Sequence, residues 1–117
     1  MDIETVRAFC LSFPYVKEEF PFDNSTLVFK VADKVFALFD IDSFSFINLK
    51  CNPEKAIELR EYFEGIVPGY HMNKKHWNSV YIQSDVNKKQ LFELIEGSYR
   101  LVFDSLPRKL KNELALG

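Results

Sequence analysis

The chain has 117 residues, of which 47% are hydrophobic and 27% charged, and this size and composition fit one globular domain. Its formal net charge of −2, taken alone, argues against a nucleic-acid binder, and no apolar run approaches the ~20 residues needed to cross a bilayer. Twelve phenylalanines and five tyrosines favour a sheet covered by helices over a helical bundle.

The first half of the chain predicts one helix and then a meander of strands. Asp2 suits the N-cap of a helix over residues 3–12, whose apolar stripe consists of Ile3, Val6, Cys10 and Phe13. Two prolines in FPYVKEEFPF (residues 13–22) permit at most a short edge strand. Runs rich in β-branched and aromatic residues follow at residues 26–31, 34–39 and 44–49. The links between them are short enough for hairpin turns, so we expect antiparallel pairing.

The second half begins with the clearest helix signal in the chain. Asn52 suits an N-cap and Pro53 the first helical position, while Gly65 suits a C-terminal stop. The predicted buried stripe of this helix is Ala56, Leu59 and Phe63. After Pro68 and Gly69, residues 77–83 alternate as a strand. A long helix should start near Asp85, with an inner face of Leu91, Leu94 or Ile95, Ser98 and Val102.

Pro107 restarts the chain as a short basic helix that carries Arg108, Lys109 and Lys111. No repeat or linker interrupts this order, which predicts a single domain over residues 1–117. Strands in a run, framed by helices at both ends, indicate an α+β fold in which helices cover one face of an antiparallel sheet.

The two cysteines, Cys10 and Cys51, form no CxxC pair, and the N-terminus lacks the pattern of a signal peptide. We expect reduced thiols in a cytoplasmic protein. A thiol beside a helix start, such as Cys51, can have a lowered pKa and react with help from a histidine, but Cys51 equally suits a small buried residue before the Asn52 cap. No glycine-rich loop or other catalytic signature is present, so the sequence predicts a non-enzymatic protein without a cofactor.

The segment PGYHMNKKHWNSV, residues 68–80, lies where the charge of the chain changes sign. Residues 1–70 hold seven Lys/Arg and twelve Asp/Glu, whereas residues 71–117 hold eight and five. Candidate contacts to a phosphate backbone are His71, Asn73, Lys74, Lys75, His76, Trp77 and Lys50. Trp77 offers a ring for stacking on an unpaired base. The same residues also fit a purely structural turn, with Tyr70 and Trp77 as core rings and solvated lysines.

Strand alternation places Trp77 on one face and Val80 on the other, and the Val80 face is the expected core. Trp77 is then either partly exposed beside Lys75, which favours a binding role, or packed under the long helix and structural. A metal site is disfavoured because His71 and His76 are five positions apart and stand beside lysines, whose charge repels a cation.

Three segments together resemble the MmcQ/YjbR family of small bacterial proteins: NLKCNPEKAIELRE, VPGYHMNKKHWNSV and LFELIEGSYRLV. The resemblance covers most of the chain. It implies a fold like that of frataxin and its bacterial counterpart CyaY, described in this family as a double-wing DNA-binding arrangement. Frataxin-like proteins also carry a ridge of acidic residues for iron. Here the first helix has only two acidic residues, Asp2 and Glu4, and together with Glu18 and Glu19 they are too few for such a ridge.

The leading functional hypothesis is therefore a DNA-binding protein that uses residues 71–77 for backbone contacts of low sequence specificity, and that is a monomer without membrane contact. The alternative is a protein-interaction or small-ligand module. In that case Tyr70, His71 and Trp77 line a pocket and the lysines bind a carboxylate or phosphate.

Overall fold

The computed structural model describes residues 1–116. Its elements in chain order are α1 (Ile3–Leu11), β1 (Val16–Glu19), β2 (Thr26–Val31), β3 (Lys34–Asp40), β4 (Phe46–Lys50), α2 (Pro53–Tyr62), β5 (Ile66–Pro68), β6 (Trp77–Tyr81), α3 (Lys88–Asp104) and α4 (Arg108–Leu116). The six strands form one antiparallel sheet in the order β1-β2-β3-β4-β6-β5. The predicted α+β class and antiparallel meander are confirmed.

Three differences from the predicted elements lie between α2 and α3. Helix α2 ends at Tyr62, before the expected stop at Gly65, because Phe63 already has an extended backbone. The three-residue strand β5 was not predicted, and α3 begins at Lys88 rather than near Asp85.

The carboxylate of Asp85 connects the segment after α2 with the segment before α3. The side chain of Asp85 accepts hydrogen bonds from the backbone N–H groups of Glu64 and Gly65, both at 2.8 Å, and so fixes the chain that leads into β5. Asp85 is therefore not the cap of α3, a role that Asn87 takes in a reciprocal capping box with Gln90. Gly65 is needed for close approach, since a Cβ there would lie 2.6 Å from the Cβ of Ser84.

The main core lies on one side of the sheet, which we call the helix face. Strand residues such as Leu49 and Val80 pack there with the inner side of α3, whose buried residues are Leu91, Ile95, Ser98, Tyr99 and Val102. Ile95, not Leu94, is the buried member of the predicted pair. Where β3 and β4 diverge, the hydroxyl of Ser98 donates to Phe36 O at 2.5 Å and accepts from Lys50 N at 2.8 Å. This hydroxyl therefore replaces a missing ladder hydrogen bond.

The opposite side of the sheet, the open face, carries a smaller cluster. Val28, Leu38 and Trp77 are buried together there, with Val35 and Met72 packed against them. Within residues 1–116, no helix residue is among the hydrophobic side chains packed on this cluster, and the loop between β5 and β6 covers it through Met72. Among residues 1–116, no helix is long and apolar enough to cross a bilayer.

Candidate nucleic-acid interface

Residues 71–77, the basic turn, form a single tight turn directly before β6. The backbone C=O of Asn73 accepts from Trp77 N at 3.0 Å, and the Asn73 side-chain oxygen accepts from Lys75 N at 2.9 Å and His76 N at 3.3 Å. His71 enters the turn with a positive φ of 58°. Asn73 therefore fixes the backbone that carries Lys74 and Lys75, as asparagine commonly does in turns.

The chain entering the turn is held from the open face of the sheet. Asn48 on β4 lies directly opposite Ser79 on β6, and the Ser79 hydroxyl donates to Asn48 Oδ1 at 2.5 Å. Together they bind both backbone groups of Tyr70: Ser79 Oγ accepts from its N–H at 2.9 Å, and Asn48 Nδ2 donates to its C=O at 3.2 Å. This buried polar pair therefore fixes the position of the turn's first end.

Arg60 on α2 holds the far end of the turn. Its guanidinium donates to the backbone C=O of Lys74 and, at 3.3 Å, to that of Trp77. The guanidinium also donates from Nε to Asn78 Oδ1 at 2.6 Å, while Asn78 Nδ2 donates to Ala56 O at 3.3 Å. Sequence reasoning missed Arg60 as a site residue, because within the α2 pattern nothing distinguishes it from a solvated helix arginine.

Positive charge gathers around this turn without neutralisation. Its cations are Lys50, Lys55, Arg60, Lys74 and Lys75. None of them has a carboxylate within 4.0 Å among residues 1–116, where the ion pairs involve only Arg7, Lys30 and Arg100 as cations. The expected contact residues His71, Asn73, Lys74 and Lys75 are exposed, whereas His76 is half-buried.

Lys50 and Cys51 join this cationic region through the sheet. Lys50 pairs with Trp77 across β4 and β6, and Cys51 N donates to His76 O at 2.8 Å. Lys50 is thus a neighbour of the basic turn, as its inclusion among the candidate contacts requires. The nearby charges of Lys55 and Arg60 act on the Cys51 thiol, but burial outweighs them and raises its pKa. Of the two alternatives for Cys51, this direction supports the small buried residue before the Asn52 cap over a thiol with a lowered pKa.

Trp77 is the candidate residue whose surroundings fit its expected role least. The side chain is only 8% exposed and packs on Val28, Leu38 and Met72. Of the two alternatives set by strand alternation, the structure has the packed one, although against the open-face cluster rather than under the long helix. The ring consequently has no free face for a base. The exposed ring at this site is instead Tyr70, 59% exposed and 5.9 Å from the ring of Phe46.

The open face also holds a concavity of about 420 Å³ that matches the alternative hypothesis in part. Tyr70 and His71 line it, but Trp77, Lys74 and Lys75 do not. Its charged lining residues are Asp23 and Asp40, and hydrogen bonds from Ser25 and Thr26 lower the pKa of Asp23. Such a lining repels the carboxylate or phosphate ligands that the alternative requires.

Three of the four acidic residues near the N-terminus are engaged in ion pairs, while Asp2 caps α1. Arg7 contacts Glu18 at 2.5 Å and Glu4 at 3.7 Å, and Lys30 pairs with Glu19. Within the described part of the chain, no three His, Cys, Asp or Glu side chains gather in a way that would hold a metal ion.

Comparison with known proteins assigns the chain to a family. The YjbR family model matches residues 11–101. YbdF of Escherichia coli O157:H7 is 39% identical over 107 residues, covering 91% of this chain and 88% of that protein. YjbR of Escherichia coli K12 is 28% identical over 115 residues, covering 97% and 98%.

Solved structures agree with this family match. A Deinococcus radiodurans protein with a DUF419 domain superposes with a TM-score of 0.91 at 39% identity, covering 97% of this chain and 87% of that one. A Pseudomonas syringae protein superposes with a TM-score of 0.73 at 30% identity, covering 86% and 98%. The chain therefore belongs to the YjbR family, as its resemblance to MmcQ/YjbR proteins predicted.

Proposed function

We propose that this protein binds the sugar–phosphate backbone of DNA through the basic turn, with low sequence specificity and without catalysing a reaction. The observation that supports this most is the set of five cations without carboxylate partners around a turn that is fixed at both ends. A phosphate that approaches such a turn has no intramolecular ion pair to displace, and competes only with Gly69 O for the ammonium group of Lys74, which donates to that oxygen at 3.0 Å.

Each part of the turn has a defined task in this proposal. Lys74 and Lys75 supply charge to adjacent phosphates, and Lys50 extends the cationic surface along β4. His71 and the Nδ2 group of Asn73 donate hydrogen bonds, since Asn73 Oδ1 is already occupied within the turn. Tyr70 takes the stacking role first expected of Trp77, because its ring is exposed.

The proposal extends to a frataxin-like, double-wing arrangement that acts as a monomer in the cytoplasm. Support for the arrangement comes from the separation of the two sides of the sheet. The helices occupy one face, and the loop that carries the basic turn lies over the other through Met72. A nucleic acid can therefore approach the turn without moving a helix.

Fluorescence anisotropy of a labelled 20-base-pair duplex tests the proposal. We expect saturable binding at low salt, and contacts to about four phosphates give a slope of log affinity against log salt near −3.6, which amounts to roughly two decades between ~50 and ~200 mM. Substituting Lys74→Ala and Lys75→Ala together should reduce the magnitude of this slope by about 1.8.

The matched control is the double variant Lys88→Ala/Lys89→Ala, which removes the same charge from the first turn of α3. It should bind DNA nearly as well as the unmodified protein. The proposal fails if no saturable, salt-dependent binding occurs, or if the two double variants lose affinity equally. Saturable binding of a small ligand without any response to DNA would favour the ligand-binding alternative.

A further inference from the structure

A groove on the helix face, separate from the basic turn's exposed side, runs between α2 and α3. It encloses about 470 Å³, a volume within the usual range of small-molecule sites. Leu49 and Val80 of the sheet form its apolar floor. Its apolar walls are Leu59 and Phe63, from α2 and its C-cap, and Leu94 and Leu101 of α3. Leu101 remains 37% exposed, so apolar surface is left uncovered here.

Gly97, which has no side chain, lines this groove from α3. It lies inside the 17-residue helix α3, where glycine costs about 1 kcal/mol relative to alanine. Packing within the chain does not require a glycine at this place, because a Cβ on Gly97 would meet no atom within 4 Å. The missing side chain instead widens the groove and exposes the α3 backbone to whatever enters it.

The charged residues that line the groove are two lysines and one glutamate. Lys50, Cys51, Asn52 and Lys55 line the groove near the start of α2, and Gln90 and Glu93 line it from α3. Lys55 has no carboxylate within 4.0 Å among residues 1–116, so Glu93 does not neutralise it. An apolar groove with an unpaired lysine complements a ligand that has an apolar body and one negative charge.

We propose that the groove between α2 and α3 binds a small amphipathic carboxylate, with its chain or ring on Leu49 and Val80 beside Gly97 and its carboxylate at Lys55. Lys50 and Lys55 line this groove and also belong to the five cations around the basic turn, but Lys74 and Lys75 do not line it, so the two proposals are tested with different variants. Either proposal can therefore fail without the other.

Cys51 provides a direct readout, because it lines the groove and is half-buried. Cys10 is fully buried and its pKa is raised to about 12, so it should not react in the folded protein. We expect decanoate to slow the reaction of Cys51 with a thiol-specific disulfide reagent in a saturable way. Decylamine, with the same chain and the opposite charge, should protect at least tenfold less well.

Two variants locate the site. Gly97→Leu should fill the groove and abolish protection by decanoate, and Lys55→Gln should weaken decanoate binding at least fivefold while leaving decanol unaffected. Lys109→Gln removes the same charge from α4, outside the groove, and should bind decanoate normally. If Gly97→Leu does not fold, comparing the decanoate affinities of Lys55→Gln and Lys109→Gln decides whether the groove is the binding site.

The proposal is overturned if decanoate gives no saturable protection, if decylamine protects equally well, or if Gly97→Leu binds decanoate like the unmodified protein. The proposal is also overturned if the unmodified protein does not bind decanoate but forms dimers in sedimentation experiments, and Gly97→Leu abolishes these dimers. A second copy of the chain would then be the occupant of the groove.

Discussion

Replacing Arg60 by methionine tests whether the arginine of α2 holds the basic turn in place. Methionine retains an aliphatic stem of similar length but loses the donors that reach Asn78 Oδ1 and the C=O groups of Lys74 and Trp77. Asn78 is only 2% exposed, so its oxygen is then left without a partner away from water.

The expected cost follows from these contacts. A hydrogen bond from a charged donor contributes about 1.5 to 3 kcal/mol, and an unsatisfied buried acceptor costs about 1 to 3 kcal/mol. Because these two estimates describe the same loss, we expect the free energy of unfolding to fall by about 2 kcal/mol. In a chain of this size that lowers Tm by about 6 to 10 °C.

Urea unfolding followed by Trp77 fluorescence measures this loss, because Trp77 is the chain's one tryptophan and is buried beside the turn. The control is Arg100→Met, which makes the same substitution at an exposed arginine whose ion pair with Glu96 spans 3.6 Å. It should cost less than about 0.5 kcal/mol. Equal midpoints for the two variants would refute the role given to Arg60.

Three further predictions concern α3, Asp85 and Tyr70. Gly97→Ala should raise the free energy of unfolding by about 0.5 to 1 kcal/mol, measured by urea unfolding, because it improves helix propensity without a clash; destabilisation would show that the added methyl is not accommodated. Hydrogen bonds from Gly65 and Glu64 lower the pKa of Asp85 below its usual 3.8, so its stabilisation is present above that pH and is lost as pH falls through the lowered value. Asp85→Asn should therefore be less stable than the unmodified protein at neutral pH in urea unfolding, and the difference should shrink in acid; a gap that is constant with pH would contradict this. Tyr70→Ala should weaken anisotropy-measured binding to single-stranded DNA about fivefold or more and to duplex DNA much less, as the loss of one stacked base requires; equal losses for both would argue against stacking.

The local sequence determined most of the elements, because their signals act over a few residues. Asn52 and Pro53 start α2 as their positions predict, and Thr26–Val31 forms a strand with its predicted bounds. Alternation along β6 also correctly assigned Trp77 and Val80 to opposite faces. The segment that identifies the family is the one that forms the basic turn.

Only tertiary structure decided what these side chains contact. Burial of Trp77 depends on Val28 and Leu38 from two distant strands, so no periodicity within residues 68–80 reveals it. Likewise, Asp85 does not cap α3, because its carboxylate accepts hydrogen bonds from two backbone N–H groups some twenty residues earlier in the chain. Arg60 acts on the basic turn across separations of 14 and 17 residues. These contacts have no local signature, because hydrogen bonds and packing between distant segments depend on how the sheet and helices come together.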